Sequence, residues 1–318
     1  MIRKKRCCFP IPLVMPILMM LLILVACTGT QETDIAGYVN LSDLRPLPTP
    51  IEDQIRPLRV AIAAVISPKG SAESYALLLD YLSQHLDRPV ERVQRRTYAE
   101  VNELLRTGEV DLGFVCTSSY LIGEREFDLQ LLVAPQVNGE VVYRAQIIVP
   151  FESQAQDLLD LRNKVFAFTD PNSFSGRIYP TYLLQTIGEQ PETFFSRTFF
   201  TYSHDVAIDA VADGIADGAS VDSLVLDFAL KRDAALGQRV RVIHTSPPFG
   251  MPPVVVSPMI RPQLRQALEE LLLNMHLDSA GQSALQALGY DRFVRVSDED
   301  YQTAREIENA VFTPSGSP

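Results

Sequence analysis

Short apolar runs rich in Val, Ile and Ala recur along this chain, separated by segments of helical periodicity. That alternation limits the possible fold more than any other feature. Leu58-Arg59-Val60-Ala61-Ile62-Ala63-Ala64-Val65 reads as a buried first strand. A loop, Ser67-Pro68-Lys69-Gly70, leads to a helix over about 71–86 with Tyr75, Leu78, Leu79, Leu82 and Leu86 on one face. A second strand follows at 90–93. Thr97 and Glu100 then have capping-box spacing, opening a helix that stops near Gly108. Val110-Asp111-Leu112-Gly113-Phe114-Val115 reads as a third strand, which ends in the polar turn Cys116-Thr117-Ser118-Ser119 and a helix at Tyr120. Strands alternating with helices predict an α/β fold with a mostly parallel sheet covered on both faces.

The pattern restarts after an extended segment at 141–150. A short helix is predicted at 157–162, a strand at 165–168 and a helix at 175–187 closed by Gly188. Strand 199–202, helix 204–212, strand 218–221 and helix 222–231 complete a second α/β unit. Val240-Arg241-Val242-Ile243 then runs into the proline-rich 246–253 and the strand Val254-Val255-Val256, with helices expected at 261–276, 280–288 and 298–311. Two α/β lobes joined by extended crossings near 141–150 and 245–256 make a hinged clamshell. Its ligand cleft lies at the carboxyl ends of the strands, where open α/β sheets bind ligands. One larger sheet is the alternative.

The N-terminus supplies an address. Arg3, Lys4, Lys5 and Arg6 precede an unbroken apolar run over 13–26, and the chain turns polar at once from Thr28 to Thr33. This is the layout of a secretory signal. Leu24-Val25-Ala26-Cys27 resembles the lipobox of bacterial lipoproteins, which implies diacylation of Cys27 after removal of 1–26. An uncleaved transmembrane anchor is disfavoured because the run is shorter than the roughly 20 residues that span a bilayer. Residues 27–57, with Pro46, Pro48, Pro50 and Pro57, read as a tether. The folded body divides as 58–145 with 250–318 in one lobe and 146–249 in the other. This places it outside the cytoplasmic membrane but held close to it.

Of 28 basic and 39 acidic residues, the four basic ones before Cys27 leave with the signal, so the mature chain carries 24 against 39, a net charge of −15. A nucleic-acid-binding role is disfavoured on that balance. Cys7 and Cys8 also leave with the signal and Cys27 is the lipidation site, which leaves Cys116 as the one thiol of the folded body. An intrachain disulfide is therefore not expected, and the fold must rest on its apolar core.

The chemistry concentrates in Phe168-Thr169-Asp170-Pro171-Asn172-Ser173-Phe174-Ser175-Gly176-Arg177. A strand ends there in a turn of Asp, Pro, Asn and Ser and feeds a helix, so backbone N–H groups, the helix dipole and two hydroxyls converge on an anion site. A plain helix cap is the simpler alternative. His204 and Asp222 begin later helices, and Thr117, Ser118 and Tyr120 are the equivalent polar set in the first lobe. Tyr75, on an otherwise apolar face, reads as core.

Asp170-Pro171-Asn172-Ser173-x-Ser175-Gly176, followed by Ser203-His204, Asp217 and Asp222, resembles the periplasmic phosphate/phosphite/phosphonate-binding proteins of ABC transporters. The resemblance runs from about Leu58 to Ile307. It implies a type II periplasmic-binding-protein clamshell without cofactor or metal, a small oxyanion held by Ser173, Ser175 and the Phe174 and Gly176 backbone, and a further donor from His204. It also implies an ABC permease as partner and a monomer. Phe174 stands where a Thr is frequent, which removes one hydroxyl. The crossing reads Phe249-Gly250-Met251-Pro252 where an amine-bearing ligand needs a carboxylate. Both departures favour phosphite, phosphate or a small alkylphosphonate. The same cleft suits a sensor that signals to a membrane kinase or cyclase. A Cys116–His204 hydrolase is the enzymatic rival, disfavoured because the hinge puts the two residues on opposite lobes.

Overall fold

The computed structural model describes residues 56–65 and 68–312, so Cys27, the signal and most of the tether lie outside the described residues. The strands in chain order are β1 (Leu58–Ile62), β2 (Val90–Gln94), β3 (Leu112–Phe114), β4 (Gln130–Gln136), β5 (Val142–Tyr143), β6 (Ala145–Pro150), β7 (Val165–Phe168), β8 (Arg197–Phe200), β9 (Gly218–Asp222), β10 (Val240–Thr245), β11 (Phe249–Gly250), β12 (Val254–Val256) and β13 (Arg292–Val294). The principal helices are α1 (Pro68–His85), α2 (Tyr98–Arg106), α3 (Thr117–Phe127), α4 (Tyr179–Thr186), α5 (His204–Ala212), α6 (Ser223–Arg232), α7 (Pro262–Asn274), α8 (Ser279–Leu288) and α9 (Gln302–Phe312).

Two sheets form, as the restarting pattern requires. The first has strand order β13-β4-β12-β3-β1-β2 and the second β10-β6-β9-β7-β8. The expectation of mostly parallel sheets holds only along one side of each sheet. β2, β1 and β3 run parallel, as do β8, β7 and β9, whereas β12, β4 and β13 in the first sheet and β6 and β10 in the second join through antiparallel pairs. β12 and β6 are the strands that follow the crossings: a chain arriving from the other lobe enters its sheet from the opposite end. Between the sheets, β5 and β11 pair as a two-stranded ribbon that places Tyr143 opposite Phe249.

Local chemistry accounts for many boundaries. Thr97 and Glu100 form the expected reciprocal capping box, with the Glu100 N–H donating to Thr97 Oγ1 at 3.2 Å and the Thr97 N–H to Glu100 Oε2 at 2.9 Å. Gly188 follows α4 at φ +76°, the left-handed geometry that stops a helix and favours glycine. The predicted single helix at 175–187 is instead one π-helical turn, Phe174–Ile178, running into α4. Such turns widen the backbone and cluster at functional sites.

The apolar clusters show how the body is assembled. One backs the first sheet, with Leu58, Val60, Leu82, Leu112, Leu268 and Phe293. Two flank the second, around Ala207, Ile208 and Val221 and around Phe166, Phe168 and Phe194. A further cluster joins Ala63, Tyr98, Val115 and Cys116 to Phe174, Ile178, Tyr179 and Phe249, bridging the ends of both sheets. Three hydrogen bonds cross the same boundary: His204 N–H to the Val65 carbonyl at 2.9 Å, Tyr98 N–H to Asp170 Oδ2 at 3.1 Å, and Phe174 N–H to Cys116 Sγ at 3.4 Å. The clamshell is therefore closed.

Candidate functional site

β7 delivers the chain to Thr169 and Asp170, and the turn is organised by their side chains. Asp170 Oδ1 accepts the Asn172 N–H at 2.8 Å while Oδ2 receives the Tyr98 N–H at the start of α2. One carboxylate thus shapes the turn and ties it to the opposite lobe. Ser173 Oγ accepts the Gly176 N–H at 3.1 Å, capping the π-helical turn. Gly176 is obligatory, since a Cβ there would lie 1.9 Å from Thr169 Oγ1. The Ser175 carbonyl accepts the Ser220 hydroxyl at 2.6 Å, fixing the turn to β9. Ser173, Phe174, Ser175 and Gly176 are thereby brought together in one buried turn. Phe174 contributes no donor to its interior, because its N–H is spent on Cys116 Sγ and its ring packs edge-on against Phe249 at 4.8 Å.

His204 is buried beside this turn. Its Nδ1 accepts the Asp222 backbone N–H at 2.9 Å, so the ring proton resides on Nε2, which faces Ser173 Oγ at 3.4 Å. Burial holds the imidazole down to about 3. The further donor expected of His204 is therefore a neutral N–H and not an imidazolium. Asp222 orients His204 through its backbone N–H. Its carboxylate caps α6 by accepting the Leu224 N–H at 2.7 Å, and burial raises its pKa to about 7.

The first-lobe set divides. Thr117 stays at the ends of the sheets, with Oγ1 donating to the Gly250 carbonyl at 3.1 Å. Ser118 instead donates to the buried Glu308 of α9, which also receives Arg125 Nη1 at 3.0 Å. Tyr120 donates to Asp298 at 2.9 Å and packs on Tyr301. Consecutive helix positions point about 100° apart, so Thr117 and Ser118 cannot face one spot. The hydroxyls of Ser118 and Tyr120 hold the C-terminal segment instead of facing the anion turn.

Two residues that sequence reasoning missed occupy this place. The hydroxyls of Tyr98 and Tyr143 are fully buried and make no hydrogen bond. Tyr143 lies beside the Thr117 and Ser175 hydroxyls without a bond of normal geometry to either, and close to Cys116 and Asp222. Tyr98 is close to Cys116, Asp170, Asp222 and Tyr143. Unpaired buried hydroxyls are costly, and here two converge with Ser175 and Thr117. One available signal was the position of Tyr98 directly after the capping-box Thr97; Tyr143, in the first crossing, had none.

The set just described contains no lysine or arginine. Arg177, in the turn itself, is directed outward over the Phe168 ring and to Thr181 and Glu192. The groups that line this place are neutral donors, backbone dipoles and the titratable Asp222 carboxyl. The Cys–His pair has not formed either: both His204 nitrogens face other partners, and burial pushes the Cys116 thiol up to about 12, well away from a nucleophilic thiolate.

Residues 60–301 match the family described as the periplasmic substrate-binding protein of phosphonate ABC transporters. The phosphate-import protein PhnD of Mycolicibacterium smegmatis is 26% identical over 182 residues, which cover 53% of this chain and 57% of that protein. The chain thus aligns with little more than half the length of that relative. Among solved structures, a binding-protein component of an ABC phosphonate transporter from Pseudomonas aeruginosa superposes with a TM-score of 0.76 at 19% identity, covering 82% of this chain and 90% of that one. PhnD1 from Prochlorococcus marinus, solved with methylphosphonate, gives 0.72 at 20% identity, covering 80% and 97%. These superpositions establish the fold as the two-lobed periplasmic-binding-protein clamshell.

Proposed function

Because the chain belongs to the family of periplasmic substrate-binding proteins of phosphonate ABC transporters, we propose that it captures a small phosphorus oxyanion and presents it to an ABC permease, performing no chemistry on it. The observation that carries this reading is the pair of orphaned hydroxyls on Tyr98 and Tyr143, set against Ser175, Thr117 and the neutral His204–Ser173 pair. Phosphite, phosphate and methylphosphonate each offer several acceptor oxygens to these donors, and a P–OH suits a carboxylate poised near neutrality at Asp222.

The lobes in this reading are 58–145 with 250–318 and 146–249, hinged at the β5–β11 ribbon. The monomer is anchored outside the cytoplasmic membrane through lipidated Cys27, with 1–26 removed and 27–57 as tether. With a net charge of −15, long-range steering opposes the anion, so affinity comes from short-range hydrogen bonds in a closed, dry cleft.

Calorimetric titration of the soluble body with phosphite, phosphate, methylphosphonate and sulfate tests the reading. At least one phosphorus oxyanion binds, and sulfate, which carries no proton at neutral pH, binds far more weakly. Failure of all three phosphorus compounds to bind overturns it.

A further inference from the structure

Asp222 borders two spaces. On one side is the hydroxyl-lined anion turn, and on the other a cavity of about 90 Å³ walled by side chains from both lobes. Phe114, Pro135 and Met251 come from the first sheet and the second crossing, and Leu224, Val225 and Phe228 from α6. Polar atoms are sparse there: besides Asp222, only Ser74, Tyr75 and Tyr290 bring side-chain oxygens, and the two tyrosines lie against each other. An inorganic oxyanion held at the turn leaves this cavity unused. A cavity lined in this way is a poor home for water, which needs two to four polar partners.

We infer that the cavity receives the organic substituent of the ligand, an unbranched alkyl chain of about three carbons, so that the preferred ligand is a short-chain alkylphosphonate. The inference rests on the anion site proposed above and extends it by naming the group attached to phosphorus. Size sets the upper limit: about 90 Å³ holds roughly three water-sized groups, whereas benzene occupies an apolar cavity of roughly 150 Å³. Chemistry sets the other. A terminal ammonium would find Asp222 as the one carboxylate among the described wall residues, and in the anion site proposed above that carboxyl is taken by the ligand's P–OH. Each methylene that leaves water for the cavity should strengthen binding by about fourfold.

The test compares phosphite, methylphosphonate, propylphosphonate, 3-aminopropylphosphonate and phenylphosphonate on the same protein by calorimetry. Propylphosphonate should bind at least tenfold more tightly than methylphosphonate, and the aminopropyl and phenyl compounds at least tenfold more weakly than propylphosphonate. In Leu224→Phe, which fills the cavity, the propyl-to-methyl ratio should fall to about one. Methylphosphonate binding as tightly as propylphosphonate, or the aminopropyl compound binding best, overturns the inference while leaving the anion site standing. A Leu224→Phe ratio equal to wild type overturns the assignment of the cavity. If none of the five compounds binds, the anion site itself is wrong and the inference falls with it.

Discussion

His204 Nδ1 accepts the backbone N–H of Asp222 at 2.9 Å, and that one bond decides which ring nitrogen carries the proton and where it is aimed. It also places side by side two buried titratable groups displaced in opposite directions, the Asp222 carboxyl raised to about 7 and the imidazole lowered to about 3.

The pH dependence of stability follows from that pair. An ordinary aspartate releases its proton near 3.9, so between about pH 4 and 7 the folded chain retains a proton at Asp222 that the unfolded chain has lost, and stability falls as pH rises. An ordinary histidine gains its proton near 6.5, so between about 6.5 and 3 the unfolded chain binds one that folded His204 refuses, and stability falls as pH falls. Each slope is at most ~1.4 kcal/mol per pH unit, and they oppose each other from about 4 to 6.5. Asp222→Asn, which retains a capping side chain, should therefore show stability rising with pH over this window. His204→Gln should show it falling. Urea unfolding at half-unit steps reads both slopes, and wild-type profiles in both variants would refute the assignment.

Tyr98→Phe and Tyr143→Phe remove hydroxyls that have no partner in the closed body. The unliganded protein should unfold at the same urea concentration or a higher one, because a buried unsatisfied group has gone. Affinity for the bound phosphorus oxyanion should drop by about 1–3 kcal/mol, or roughly 5- to 150-fold. Loss of stability with unchanged affinity is the opposite pattern and would assign these hydroxyls to the fold.

Ser173 and Ser175 should separate in the same assay. Ser173 Oγ caps Gly176, so Ser173→Ala costs ~1 kcal/mol of stability as well as affinity. Ser175 serves the fold through its carbonyl, so Ser175→Ala should weaken only ligand binding. Equal thermal shifts in the two variants would contradict this division.

Gly176→Ala puts a Cβ at 1.9 Å from Thr169 Oγ1 and 2.8 Å from Thr169 Cβ. Overpacking of this kind should cost about 1–3 kcal/mol or more. Adding Thr169→Ala should recover part of the loss, measured as a positive coupling in a double-mutant cycle. Additive losses would show that the strain lies elsewhere.

Cys27→Ser should yield a folded protein that incorporates no radiolabelled palmitate, whereas the parent incorporates it. Equal labelling of the two proteins would remove the lipid anchor from the proposal.

What the sequence alone determined is whatever depends on neighbours in the chain. The alternation of apolar periods predicts β1, β2, β3, β7, β9 and β12 close to where they form, and the Thr97–Glu100 box and Gly188 mark helix ends by contacts within a few residues. The turn at 170–176 is legible for the same reason, since its Asp, Asn and Ser side chains bond to backbone only two or three positions away. Tertiary structure decided the rest. β4 carries Pro135 and β13 has only three residues, so neither shows a strand period; β4 is held between β12 and β13, and β13 forms because β4 pairs with it, Pro135 against Phe293. Ser118 and Tyr120 look like cleft hydroxyls until the C-terminal segment, almost two hundred residues later, brings Glu308 of α9 and the preceding Asp298 to them. Tyr98 and Tyr143, 45 positions apart in the chain, meet only in the tertiary fold, because a hydroxyl's role is set by which donors and acceptors the whole fold leaves beside it.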